Sequence, residues 1–240
     1  MGPMPAAMPI ATVAAIMNID GLQLAQLLQL TSPSLPVGGF SWSQGTESAI
    51  EQGWLKGEEG FAGWLQGILQ HSFVFQEWPL LQRLYEAFSV ADQERLQYWN
   101  ALALALRETR ELRQEDVQMG AALLRLCRDL NYPRALAWEQ NEISYLTAFA
   151  LAAVEQRIPL EAACIGLAWS WLENQIAAAL KTFPLGQTAG QRVYQQRVVE
   201  LPGLLERAGE VADEEVGFSL PGVVLASMQH ERQYSRLFRS

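Results

Sequence analysis

Apolar residues recur every three or four positions along almost the whole chain, as in Phe61, Leu65 and Ile68, then Leu81, Leu84, Tyr85 and Phe88. The pattern continues through Leu96, Trp99, Ala103 and Leu106, and again through Leu123, Leu126, Cys127 and Leu130. This is the period of an amphipathic helix, and no stretch alternates as a half-buried strand would. It predicts an all-α fold, a single domain of about eight to ten packed helices. The punctuation agrees with that reading. Asp92 is placed to cap a helix running towards Arg107, Asn131-Tyr132-Pro133 ends the helix before it, and Pro159 suits the first turn of the next. Thr188-Ala189-Gly190-Gln191 has capping-box spacing and predicts a helix start after the Pro184-Leu185-Gly186 loop.

Three stretches stand apart from the helical body at 21–229. Residues 1–20 read as a flexible arm: Met4 to Met17 is apolar, but no Lys or Arg precedes it as a secretory leader requires. Glu210, Asp213, Glu214 and Glu215 gather between Gly203 and Gly217, which predicts a solvated loop. The last segment, 230–240, interleaves Tyr234, Leu237 and Phe238 with Arg232, Arg236 and Arg239, the aromatic and arginine side chains that anchor interfaces. It reads as a docking tail, sticky without a partner. The longest apolar run, Ile143 to Val154, falls short of the roughly 18 residues of a membrane span and contains Ser and Thr, so a soluble, cytoplasmic protein is expected.

Composition narrows the class of partner. Half of the 240 residues are apolar, enough for a sizeable core. A formal charge of −9 argues against a nucleic-acid surface, which needs clustered cations to displace counterions. Lys56 and Lys181 are the only lysines, and the arginines suit bidentate contacts with carboxylates. Protein partners are expected, with neither nucleic acid nor membrane. Cys127 and Cys164 each fall in an apolar helical pattern and read as two buried thiols rather than a disulfide.

No catalytic constellation emerges. Gly39-Phe40-Ser41-Trp42-Ser43 begins like a nucleophile elbow but lacks the final glycine and a preceding strand. Of the two histidines, His71 sits beside Phe73 and Phe75 as a core-edge residue, and His230 lies near the end of the chain. Neither histidine nor cysteine shows metal-ligand spacing, and Gly186 to Gly190 lacks the lysine of a phosphate-binding loop. The chain reads as a non-enzyme with no catalytic residue, no metal ligand and no stably bound cofactor.

What remains is a set of polar blocks inside apolar sequence. Arg107 to Asp116 is the densest mixed-charge segment, with Arg107 and Glu111 spaced as one helical turn; it reads either as a solvated face or as a docking surface. Glu173, Asn174 and Gln175 interrupt an otherwise apolar helix, and buried polar groups need partners. They either hydrogen-bond to neighbouring helices or line a polar seam at an interface or internal passage. Ala162, Ala163, Gly166 and Ser170 on that helix permit a close neighbour. In the opening block, Pro33 and Pro36 stop a helix and Gly38 and Gly39 permit a tight turn, yet Phe40, Ser41, Trp42, Ser43 and Gln44 also look like an interface patch. Lys181 could complement a helix C-terminus or contact a partner.

Several of these blocks together resemble the urease accessory protein F family, known as UreF. The likeness runs from about Leu22 to Ser240 through S-P-S-L-P-V-G-G-F-S at 32–41, R-E-T-R-E-L-R-Q-E-D-V-Q-M-G at 107–120, W-S-W-L-E-N-Q at 169–175, P-L-G-Q-T-A-G-Q-R at 184–192 and Y-S-R-L-F-R-S at 234–240. The chain departs from the family pattern at Thr46, where a leucine often follows the glycine. The resemblance implies an all-helical, generally dimeric chaperone that joins a UreD- or UreH-type accessory protein to the GTPase UreG, and with them delivers nickel to apo-urease. Nickel would be the cargo of the complex and GTP would belong to the partner.

By position, the resemblance assigns UreG docking or the dimer surface to Pro36, Gly38, Gly39, Phe40, Ser41 and Gln44, with Lys181, Pro184, Gly186 and Gln187. It assigns UreD contact to the tail through His230, Glu231, Tyr234, Ser235, Arg236, Leu237, Phe238 and Arg239. The alternative it leaves open is a strict GTPase-activating protein that supplies Arg236 or Arg239 to the nucleotide of UreG.

Overall fold

A computed structural model describes residues 19–240, and among them every regular element is helical. The segment 1–18, which holds most of the expected arm, lies outside the described residues. Asp20 is the N-cap of α1 (Gly21–Leu30), bonding the Gln23 amide at 2.8 Å while the Gln23 side chain returns to the Asp20 amide, a full capping box. A loop with one short 3₁₀ turn, Gly39–Ser41, leads to α2 (Thr46–Glu51). Next come α3 (Gly57–Ile68), a π-helical stretch Leu69–Glu77, and α4 (Trp78–Ser89), all one continuous rod.

The π stretch has an identifiable cause. Pro79 has no N–H, so the carbonyl of Phe75 cannot be met from four residues on, and the Trp78 amide bonds Phe73 instead. The freed Phe75 carbonyl accepts from the Gly217 amide at 2.8 Å. One proline thereby ties the middle of the rod to the segment before the last helix, where Phe218 stacks on His71 and Phe75.

Asp92 caps α5 (Gln93–Ala105) as the sequence predicts, accepting from the Arg95 amide at 3.0 Å. After it come α6 (Arg110–Asp129), the single turn α7 (Pro133–Leu136), α8 (Tyr145–Glu155) and the long α9 (Leu160–Thr182). The core lies where α4 meets α8 and α8 meets α6 and α9. From Leu146 to Ala153 every residue of α8 is buried, packed on Leu80, Leu81, Leu84 and Phe88. Trp78 donates its indole N–H to the Cys164 carbonyl at 2.8 Å, which satisfies the one polar atom of the largest buried side chain. Cys127 and Cys164 are buried free thiols, and burial pushes Cys127 up to about 12.

Two glycines allow the packing. A Cβ on Gly120 would sit 2.3 Å from the Ile143 carbonyl oxygen, so α6 touches the backbone leading into α8. A Cβ on Gly166 would sit 2.6 Å from Leu27, which seats α1 on the small-residue stripe of α9.

Four expectations are corrected. Thr188 does not cap a helix: α10 (Gln187–Val198) starts earlier, with Gly186 in extended backbone as N-cap, so Thr188 is already inside it. Leu201–Ala208 is a helix, α11, so only the part after Gly209 of the acidic stretch is loop, and there Asp213 pairs with Arg83. Arg107 and Glu111 do not share a helical turn, because Thr109 caps α6 through the Leu112 amide and leaves Arg107 outside. Glu111, Glu115 and Asp116 are buried, so this segment is not a solvated face. The last helix is α12 (Pro221–His230), and beyond it the tail forms turns rather than helix.

Candidate functional site

The glycine block, the W-S-W-L-E-N-Q block and the tail converge along the middle and C-terminal part of α9. Gly38 and Gly45 take left-handed backbone, φ +77° and +81°, and turn the loop so that Trp42, Ser43 and Thr46 face inward. A Cβ at Gly45 would meet the Ser227 amide at 3.0 Å, so this glycine also lets α2 lie against α12. From α9, Asn174 donates to the Trp42 carbonyl at 2.8 Å, and Trp171 donates to the side-chain carbonyl of Gln44 at 2.7 Å. Thr46 donates to Gln175 at 2.6 Å and accepts from Trp64 at 3.1 Å. A leucine there could do neither, which gives the departure at Thr46 a local reason.

The tail lies across this platform. The Arg239 amide donates to the Ser41 carbonyl at 2.8 Å, and the Ser43 amide donates to the Ser240 carbonyl oxygen at 2.9 Å. The Ser43 hydroxyl donates to that same oxygen, and the Gln44 amide reaches the Ser240 hydroxyl at 3.1 Å. Arg239 packs over Trp42, and Lys181 lies 5.5 Å from the centre of the Phe238 ring.

Beneath the tail is a layer of buried charge. Glu47 on α2 accepts from the amides of Leu237 and Phe238 at 2.8 and 2.9 Å, and Arg236 bonds Glu111 of α6 at 2.9 Å. His230, fully buried at the end of α12, sits between Glu111 and Glu47. Ser227 and Thr109 share a hydroxyl bond of 2.7 Å that ties α12 to the start of α6.

Farther in, a cavity of about 270 Å³ opens between α1, α6, α9 and α12. Glu77, Arg107, Glu115 and Asp116 line it with Gln44, Glu173 and Asn174. Burial pushes the Glu115 carboxyl up to about 8, against the lowering effect of hydrogen bonding from Gln44 and of the Arg107 charge, and burial also raises Asp116. Burial disfavours the Arg107 charge, but Glu77 and Asp116 outweigh it and hold the guanidinium above its ordinary range. Among the described residues, no three His, Cys, Asp or Glu side chains form a metal-ligand set.

Each sequence candidate now has a place. Pro36 and Phe40 are exposed; Gly38, Gly39, Ser41 and Gln44 are half-buried, and Gln44 is committed to Trp171 and Glu115. Lys181, Pro184, Gly186 and Gln187 are exposed, and of these Lys181 alone approaches the tail. In the tail Glu231, Tyr234, Ser235, Arg236, Leu237 and Arg239 are exposed. His230 and Phe238 are buried in the chain on its own: the carboxylates hold the first and the platform covers the second. Asn174 and Gln175 bond neighbouring elements, and Glu173 and Asn174 line the cavity.

Sequence reasoning missed Glu47 as part of the site, whereas Trp42 and Ser43 fall in the interface-like patch and Glu115 in the mixed-charge segment that it singled out. One signal was available, because Glu47 is the first charged residue after Asp20, in a stretch with no other before Glu51.

Fold and site together define an all-helical protein whose last segment is held on a platform of α2, α6 and the glycine loop. The UreF family profile matches residues 55–197, and the chain belongs to this family, whose members are accessory proteins rather than enzymes. It is 48% identical over 222 residues to the urease accessory protein UreF of Alkalilimnicola ehrlichii, covering 92% of this chain and 97% of that one. The UreF of Hahella chejuensis is 46% identical over 219 residues, 91% and 99% of the two chains, and that of Pseudomonas putida 43% over 225 residues, 93% and 100%. No helix among the described residues is long and apolar enough to cross a membrane.

Proposed function

We propose that this chain is a non-enzymatic adaptor in urease maturation, acting in the cytoplasm as a homodimer that brings a UreD- or UreH-type protein and the GTPase UreG together for nickel insertion into apo-urease. It holds no cofactor of its own; nickel is the cargo and GTP is the partner's. The observation that carries this reading is the form of the tail. Its backbone is locked to α2 and the glycine loop, while Tyr234 is fully exposed and Leu237 is 70% exposed. Leu225 and Met228 of α12, each about half exposed, add to the apolar surface at this end of the chain. Large apolar side chains on a fixed backbone cost little ordering entropy on binding, which is what an interface anchor needs.

The test is co-purification of the full chain and of Tyr234→Ala/Leu237→Ala with the UreD-type partner and then UreG, with the mass of each complex measured by size-exclusion chromatography and light scattering. The adaptor reading expects the double variant to keep its own mass and lose the UreD-type partner. Unchanged assembly would remove the tail from the interface. The supplied-arginine alternative asks Arg236 or Arg239 to leave Glu111, or Trp42 and Gln118. It predicts that replacing either arginine abolishes stimulated GTP hydrolysis while UreG still binds.

A further inference from the structure

We propose that Glu47, His230 and Glu111 form a proton-dependent latch that holds residues 233–240 in place, so that the docking strip is set while the imidazole carries a proton on both nitrogens and loosens when it loses one. The inference rests on the adaptor reading only for its consequence in partner binding; the latch itself is a property of this chain alone.

The argument begins with donors and acceptors. His230 Nδ1 lies 2.8 Å from Glu111 Oε2, and Nε2 lies 3.2 Å from Glu47 Oε2. A neutral imidazole has one N–H and one lone pair, so in either tautomer one nitrogen would turn its lone pair on a carboxylate oxygen. With both glutamates ionised, both contacts are hydrogen bonds only when both nitrogens carry protons. Glu47 is the other half of the device. Its two oxygens face four donors: Leu237 and Gln233 on Oε1, Phe238 and His230 on Oε2. An ionised carboxylate, which only accepts, matches that set.

Charge counting leads to the same state. Glu47 faces the ring from α2, Glu111 from α6 and Arg236 closes the group from the tail, while Gln233 and the Thr109–Ser227 hydroxyl pair are uncharged. Two carboxylates, one guanidinium and one imidazolium sum to zero. With a neutral ring the group carries a net negative charge where the histidine is wholly buried and the glutamate side chains are 7% and 8% exposed. The relief nearest to hand is for Glu47 to turn towards water, and Glu47 is what the amides of Leu237 and Phe238 hold. Glu115 meets Ser240 at 3.4 Å and is a second titrating group at the far end of the tail. A Glu115→Gln background removes it from the test.

Histidine is the side chain suited to change charge across the neutral range. The measurement is amide hydrogen exchange on the full chain from about pH 5.5 to about pH 8, corrected for intrinsic exchange, in the Glu115→Gln background. Protection at Leu237 and Phe238 is expected to fall as pH rises, by up to about tenfold per unit, with Leu81 and Leu151 in the core unchanged. His230→Gln, which cannot carry the charge, is expected to show weak tail protection at every pH and no slope. Flat tail protection in the histidine protein overturns the latch. So does an equal slope in His230→Gln, or a loss at Leu81 and Leu151 in step with the tail, which would mean that the whole domain opens. Should His230→Gln fail to fold, Glu47→Gln replaces it, with the same expected loss of slope and the same overturning result. A latch that behaves as stated beside partners that assemble regardless of the tail would leave this inference standing and take the tail out of the adaptor's interface; a latch beside partners that do not bind the chain at all would leave it standing and sink the adaptor reading.

Discussion

The contact between α6 and α8 and the contact between α6 and the tail share a helix and are built on opposite principles. Around Gly120, α6 meets α8 through apolar side chains and a backbone so close that no Cβ fits. A few residues earlier on the same helix, Glu111 and Glu115 are just as buried but are held by His230, Arg236, Gln44 and Ser240. The first contact stabilises mainly by packing, with one buried carboxylate, Asp116, accepting from the Tyr145 amide at 3.1 Å. The second brings charge out of water and depends on each group keeping its partner. One helix therefore serves as scaffold on one stretch and as a conditional junction on the other.

The largest effect should come from the packed side. Gly120→Ala places a methyl group 2.3 Å from the Ile143 carbonyl oxygen and 2.8 Å from the Ser144 carbonyl carbon, both backbone atoms with little room to yield. A loss of about 3 kcal/mol or more is expected in urea unfolding. Gly63→Ala is the control: it is a helix-interior glycine with open space around it, so the same change should stabilise by about 0.5–1 kcal/mol. If both variants moved together, close approach would not be what defines this contact.

These two halves differ in how far the sequence disclosed them. The core was legible because burial on one helical face leaves a period of three to four, so Leu81, Leu84 and Phe88 announce their face. Capping at Asp92 was legible because donor and acceptor are three residues apart. The junction was not, since Glu47 finds its partners at positions 230, 237 and 238, and no local pattern records a pairing across most of the chain. Charge also misled: a run such as Arg107 to Asp116 looks solvated until its arginine and carboxylates are seen bonded to other elements. Thr188 shows the local limit, for the same four residues can cap a helix or lie inside one, and Gly186 decided which.

A smaller effect separates the halves by pH. Glu115 is held up to about 8 by burial, against an ordinary value near 4.5, so the folded state binds its proton more tightly than the unfolded chain does. Its ionisation costs nothing below about pH 4.5, a growing amount between there and about pH 8, and a constant amount above. Stability should therefore fall as pH rises through that window. Glu115→Gln should flatten the fall and leave the variant more stable than the parent at pH 8, by an amount of order a few kcal/mol. Urea unfolding of both proteins at a series of pH values isolates this group, because Asp116 and the latch contribute alike to each. Parallel curves would mean that Glu115 is ionised in the folded protein and that the junction is wetter than its geometry indicates.

The finest comparison lies within the tail itself. Phe238 is buried against the platform, with Lys181 near its ring, whereas Tyr234 four residues earlier is fully exposed. Both are large aromatics in one short segment, so composition cannot tell them apart and position alone should. Phe238→Ala removes a ring from an edge site that can partly refill with water, and a loss of about 2 kcal/mol is expected. Tyr234→Ala should change stability by less than about 0.5 kcal/mol. A thermal melt of each at one pH reads the difference. A costly Tyr234→Ala would show that the ring packs on the body and is not free for a partner. A harmless Phe238→Ala would show that the tail is held by Glu47 and the backbone alone, and would shift the hold on the tail from packing to the polar junction.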